Sequence, residues 1–238
     1  MRKYLYSLFI TVSTSLVFSC SGDMVPNQLS QSEIAEGWEL LFDGKTLENW
    51  HLYNNPNIKG AWLVSNGEIQ ANPDEQGKRA DLTSNKEYED FEFKFEWKLA
   101  KEGNSGVFIN VHENDSLGTA WLSGAEYQLL EDSHPDFDVP LKKAGCLYGF
   151  TPQKNFVNTK KLGEWNQSRV VQQDGVIKFY LNDVLTAEQD FKTQAWKDAI
   201  KKSSFRDKPS FGVGLSGKIA LQDWANGVSF RNLKIRVL

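Results

Sequence analysis

Residues 91–99 constrain the fold more than any other stretch of the chain. Phe91, Phe93, Phe95, Trp97 and Leu99 alternate with Glu92, Lys94, Glu96 and Lys98. A period of two is the pattern of a β-strand with one buried and one polar face. Five large apolar side chains on one face need a second sheet to cover them, so two packed sheets are required. Glu96 then points away from that core. Further short strands are expected at 39–42, 61–64, 68–71, 106–112, 125–130, 146–150, 165–172, 176–181, 184–189, 211–215, 219–222 and 228–237. Between them stand the hairpin-type turns Asn66-Gly67, Gln173-Asp174-Gly175 and Asn182-Asp183. Only 193–202 has helical character, and neither βαβ spacing nor an internal repeat is visible. The expectation is an all-β sandwich of two antiparallel sheets, with aromatic residues, 13% of the 238, filling the core.

The formal charge of −4 includes Arg2 and Lys3, and without those two cations the remaining chain stands at −6. With no basic stripe, an acidic surface repels phosphate backbones, so a nucleic-acid partner is not expected. Arg2 and Lys3 precede an apolar stretch over residues 5–18, too short to span a bilayer and suited to a signal segment. It ends Leu16-Val17-Phe18-Ser19-Cys20, which resembles the lipobox of bacterial lipoproteins. That resemblance implies a signal peptide over 1–19, lipidation of Cys20 and anchorage in the cell envelope, periplasmic or on the cell surface. Residues 20–36 then read as a polar tether and 37–238 as the folded domain. Lipidation would leave Cys146 without a disulfide partner, and its apolar neighbours mark it as buried and inert.

Two strands carry polar residues on one face. In 125–130, Glu126 and Gln128 share one face while Tyr127 and Leu129 take the other. In 106–112, Val107, Ile109 and Val111 are expected on one face, and Phe108, Asn110 and His112 on the opposite one. Such a face fits either a sugar-binding surface or a plain solvated sheet face, and periodicity does not separate the two.

An ordered set of motifs narrows the choice. The stretch Gly37-Trp38-Glu39-Leu40-Leu41-Phe42-Asp43-Gly44 is followed by Asn49-Trp50, Tyr88-Glu89-Asp90-Phe91-Glu92, Gly103-Asn104-Ser105-Gly106-Val107-Phe108 and Glu126-Tyr127-Gln128. Then come Leu147-Tyr148-Gly149, Gly163-Glu164-Trp165-Asn166, Ile219-Ala220-Leu221-Gln222-Asp223 and Val228-Ser229-Phe230-Arg231-Asn232. In this order, over about residues 37–238, they resemble the 3-keto-disaccharide hydrolase family, which has a concanavalin-like jelly-roll fold. One departure stands out. The family usually continues Gln-Asp-His-Gly, whereas Trp224-Ala225-Asn226-Gly227 follows here. Trp224 instead offers a stacking face to a sugar ring.

The resemblance implies a substrate oxidised at C3, a 3-keto-glycoside. A ketone at C3 acidifies the C2 proton, whose removal lets the C1 substituent leave; water then adds back. Such a site needs a base, a stabiliser for the C3 oxyanion and an acid for the leaving oxygen. A divalent metal could serve as the stabiliser, although no metal-ligand spacing is present. Glu126 is the first candidate base, Glu96 the second, and His134 a third acid or base. Asn104, Ser105, Gln128, Tyr148, Gln222, Asp223 and Trp224 are the expected substrate contacts, with Glu126, Gln128 and Glu96 projecting from one face. A non-catalytic lectin-like module on the same fold is the competing reading.

Overall fold

The computed structural model describes residues 25–57, 60–71 and 76–238. Residues 1–24, with the expected signal segment and Cys20, lie outside the described residues. Strands are numbered along the chain. One sheet has eight strands in the order β11 (Val184–Asp190), β10 (Val176–Leu181), β9 (Asn166–Gln173), β6 (Phe91–Leu99), β13 (Val228–Val237), β4 (Glu68–Ala71) and β3 (Trp62–Ser65), with β1 (Glu39–Leu40) also paired to β13. The other has five: β2 (Trp50–Leu52), β5 (Leu82–Ser84), β12 (Lys218–Leu221), β7 (Asn104–Val111) and β8 (Ala125–Leu130). All strand pairs are antiparallel.

The alternation in β6 does what the sequence requires: Phe91, Phe93, Phe95, Trp97 and Leu99 are all buried. Phe95 meets Tyr127 of the opposite sheet edge-on, with ring centroids 5.6 Å apart, and stacks on Phe93 at 5.0 Å. Tyr127 also carries a hydrogen-bond chain across the core. Its hydroxyl donates to the Tyr180 carbonyl at 3.0 Å and shares a 2.8 Å bond with the Ser168 hydroxyl, which accepts from Trp97 Nε1. Pairing of this kind removes the cost of burying the hydroxyl. The helix α2 (Gln194–Lys202) starts on Thr193, whose hydroxyl accepts the Trp196 N–H.

Four expectations need correction. Residues 146–150 are an irregular edge segment beside β8, not a full strand: the Gln128 N–H bonds the Cys146 carbonyl and the Tyr148 N–H bonds the Glu126 carbonyl. The chain then turns sharply at Gly149, whose φ is +76°. Residues 211–215 form turns. Asn110 does not share a face with Phe108. It takes φ +57° where the β7–β12 register shifts, a bulge that turns its side chain inward to Gln172 at 2.7 Å. Val111 therefore joins Phe108, Tyr53, Leu117, Ala120 and Ala220 in a second apolar cluster.

Residues 25–36, expected to be part of a polar tether, are held against the domain. Asn27 is buried and exchanges backbone-to-side-chain hydrogen bonds with Asn232, while its Nδ2 donates to the Gly67 carbonyl. The short helix α1 (Gln31–Ala35) has a Ser30–Glu33 capping box, and Glu33 pairs with Lys234. Residues 25–36 are thus a docked strap.

Phe95→Ala should cost about 3–5 kcal/mol, because a buried aromatic touching both sheets leaves a cavity that neither can close. Denaturant unfolding measures it; a loss under about 1 kcal/mol would contradict this packing.

Candidate active site

The site starts from parity in β8. Tyr127 and Leu129 enter the core, so Glu126 and Gln128 stand on the outer face of the five-stranded sheet. There they line a cleft of about 400 Å³ with Asn104, Tyr148, Gln222 and Trp224. These six are residues the sequence singles out. Connecting segments supply the rest: Trp121 from the 3-10 turn Ala120–Leu122 that covers Phe108, Asp136 and Lys142 from the β8–β9 connection, and Ser204, Phe205 and Lys208 from beyond α2.

Glu126 is 9% exposed. Its carboxyl lies over Gly106 on β7, next to the Gly106–Gln128 register pair, and any Cβ at position 106 would collide with it. Glycine is needed here for this close approach. Burial raises the Glu126 carboxyl well above its ordinary range, and the negative charge of Asp81 raises it further. No hydrogen bond or ion pair within the described residues offsets either effect.

Asp81 precedes β5. Its two oxygens accept the backbone N–H groups of Asp223 and Ala120 at 3.1 and 3.3 Å. Burial still pushes it up to about 6, with the Asp223 charge adding to the rise. Asp223 itself is held by a two-pronged ion pair with Arg79.

The polar wall is ordered from behind. Gln128 Nε2 donates to Asn104 Oδ1 at 2.9 Å, which leaves the Asn104 amide nitrogen to face a ligand. Gln222 Oε1 is buried without a partner, an acceptor waiting for a donor. Tyr148 is placed by the backbone bond to Glu126. Burial raises its hydroxyl and the Lys142 ammonium opposes that rise. Lys142 is fixed by Asp136 at 2.9 Å. Trp224 is 64% exposed at the mouth, free to stack.

Three expected residues stand elsewhere, and one stands behind the wall. Glu96 projects from the outer face of the eight-stranded sheet, where Arg231 binds it at 2.7 Å. Glu96 and Glu126 therefore do not share a face. Ser105 points inward, the parity opposite to Asn104, and its hydroxyl donates to the Gln222 carbonyl. His134 uses Nδ1 to accept the Asp136 N–H and so holds a turn outside the cleft lining. Asp223 backs the site through Asp81 but does not line it. Cys146 is a buried thiol bonded to the Leu141 carbonyl, raised by its burial. Among the described residues no group of three or more His, Cys, Asp or Glu is placed to hold a metal ion. Asp81 was missed because it sits in Lys78-Arg79-Ala80-Asp81-Leu82, beside a three-residue strand with too little alternation to be read.

Comparison with known proteins agrees with this architecture. A protein of Bacteroides thetaiotaomicron named 3-keto-disaccharide hydrolase is 28% identical over the full length of both chains. A 1.70 Å crystal structure from Parabacteroides distasonis, provisionally named a glycosyl hydrolase, is 30% identical and superposes with a TM-score of 0.82. It covers 90% of this chain and 100% of its own. A second structure from the same organism, also provisionally named a glycosyl hydrolase, is 26% identical with a TM-score of 0.63, over 84% of this chain and 99% of its own. Residues 37–236 match the model of the 3-keto-alpha-glucoside-1,2-lyase-like domain. The chain belongs to that family, and it is an enzyme.

Proposed function

We propose that this enzyme is a carbohydrate hydrolase that cleaves 3-keto-glycosides, with Glu126 as the base. The observation that carries the reading is the Glu126 carboxyl, desolvated over Gly106 and without a partner at the floor of an amide- and aromatic-lined cleft. The name of the Bacteroides thetaiotaomicron relative supports the substrate class.

Glu126 takes the C2 proton, and the C–H electron pair forms the C2=C3 bond of an enolate whose charge rests on the C3 oxygen. Collapse of that oxyanion restores the ketone, forms C1=C2 and expels the C1 oxygen, which takes a proton. Water then adds, hydroxyl to C1 and proton to C2, and the net change is hydrolysis of the C1–O bond. A carboxylate with raised proton affinity suits the first step and can return the same proton in a later one. The Tyr148 hydroxyl and the Asn104 amide are the donors for the C3 oxygen and a neighbouring hydroxyl. Gln222 Oε1 accepts from a sugar hydroxyl, and Trp224 stacks on the ring. A lectin has no use for an unpaired, desolvated carboxylate, which leaves the buried acid unexplained under that reading.

Glu126→Gln should keep binding and lower turnover of a 3-keto-glycoside by about 10²–10⁴. Near-normal turnover would remove Glu126 from the mechanism. Asp81→Asn tests the tuning. Ionised Asp81 raises the proton affinity of Glu126, so its neutralisation should lower that affinity. The acid limb of the kcat/KM profile should then move to lower pH, and an unmoved limb would show that Asp81 acts only as a scaffold.

We further propose that the enzyme works in the cell envelope, anchored by a lipid on Cys20 that the lipobox-like Ser19-Cys20 implies.

A further inference from the structure

Val25, Pro26 and Gln28 border a second cleft of about 580 Å³ on the outer face of the eight-stranded sheet, together with Glu96, Arg169 and Arg231. The strap is fastened to this sheet. Asn27 is locked to Asn232 at the register shift of β13, and Glu33 pairs with Lys234 of the same strand. Gly44 and Gly67 pack closely around the Asn27 side chain. The chain therefore reaches the body on the face opposite the Glu126 cleft.

Cys20 stands only five positions before Val25. Five residues span at most about 17 Å, even fully extended. A lipid on Cys20 would hold Val25 within that distance of the headgroups. It cannot swing the five-stranded face to the membrane without tearing the strap from β13.

We propose that the outer face of the eight-stranded sheet is the surface turned to the lipid headgroup layer, so that the Glu126 cleft opens away from the membrane. This rests on the anchoring at Cys20 proposed above. Charge does not oppose the arrangement. On this face Arg231 pairs with Glu96 and Lys234 with Glu33, Arg236 is held by Glu92 and Glu36, and Arg169 and Lys94 share the same Glu92, while the chain as a whole is acidic. The short reach from Cys20 sets the orientation, and the cations that share Glu92 on this face do not oppose it. The partner is the headgroup layer of the membrane that holds the acyl chains, and the substrate arrives from the aqueous side.

The test uses the full, lipidated chain in phosphatidylethanolamine/phosphatidylglycerol vesicles that carry a rhodamine acceptor on the headgroup. One donor dye is placed through Asp183→Cys, at the edge of the second cleft, and another through Ser204→Cys, at the rim of the active site; buried Cys146 does not compete for label. Packed sheets lie about 10 Å apart and their outer side chains add about as much again, so transfer from position 183 should exceed that from 204 by about twofold or more. A flexible 20-residue Gly/Ser insert after Cys20 should erase the difference. Vesicle flotation with equal or reversed transfer would overturn the orientation and leave the anchor standing. Failure to float, or flotation of Cys20→Ala to the same extent, would overturn the anchor and the orientation with it.

Discussion

The proposed chemistry depends on one desolvated carboxyl. Glu126 gives up water to lie over Gly106, and nothing among the described residues compensates it with a hydrogen bond or a cation. An ionised carboxylate in such a place is costly, so the fold stores proton affinity there at the expense of stability. By linkage, a folded-state affinity raised above the unfolded one means that stability is lost as pH rises past the unfolded value. Asp81 deepens the effect with a like charge that is itself poorly solvated.

The sandwich makes this arrangement rigid. Tyr127, the neighbour of Glu126, is pinned through the core to Ser168 and to the Tyr180 carbonyl, so β8 can neither slide nor flip without breaking that chain. A slip of one residue would exchange Tyr127 for Glu126 in the core. The same strand thus fixes the core and the site. Behind the cleft, Arg79, Asp223 and Asp81 form a relay of contacts that ties the end of β12 to the start of β5. The polar wall of Asn104, Gln128 and Gln222 stands on β7, β8 and the chain just after β12, three adjacent positions in one sheet.

Sequence periodicity made the sandwich and the polar face of β8 legible, because burial imposes a period of two on long strands. It found β6, β8, β10 and β13 with their observed limits. It could not tell which sheet a strand joins. Glu96 and Glu126 both point outward, but from opposite sheets, and alternation treats the two cases alike. Strands β2 and β5 are three residues long, too short to show a period, and Asp81 went unseen with them. The Asn110 bulge inverted the expected faces beyond it. Trp121, Lys142 and Lys208 reach the cleft on connecting segments, two of them single 3-10 turns, whose paths follow from tertiary packing and leave no local pattern. The strap carries no local signal, because its contacts, Asn27 to Asn232 and Glu33 to Lys234, are about 200 residues apart in sequence.

The most direct test is a site-resolved titration of the Glu126 carboxyl. Infrared difference spectra of the wild type against Glu126→Gln isolate the C=O stretch of its protonated form as pH is raised. This band should persist well above the ordinary glutamate value of 4.5 and disappear in step with the rise of kcat/KM. A carboxyl that titrates at or below 4.5, or a rate profile that ignores its titration, would contradict the claim that burial over Gly106 makes Glu126 the base.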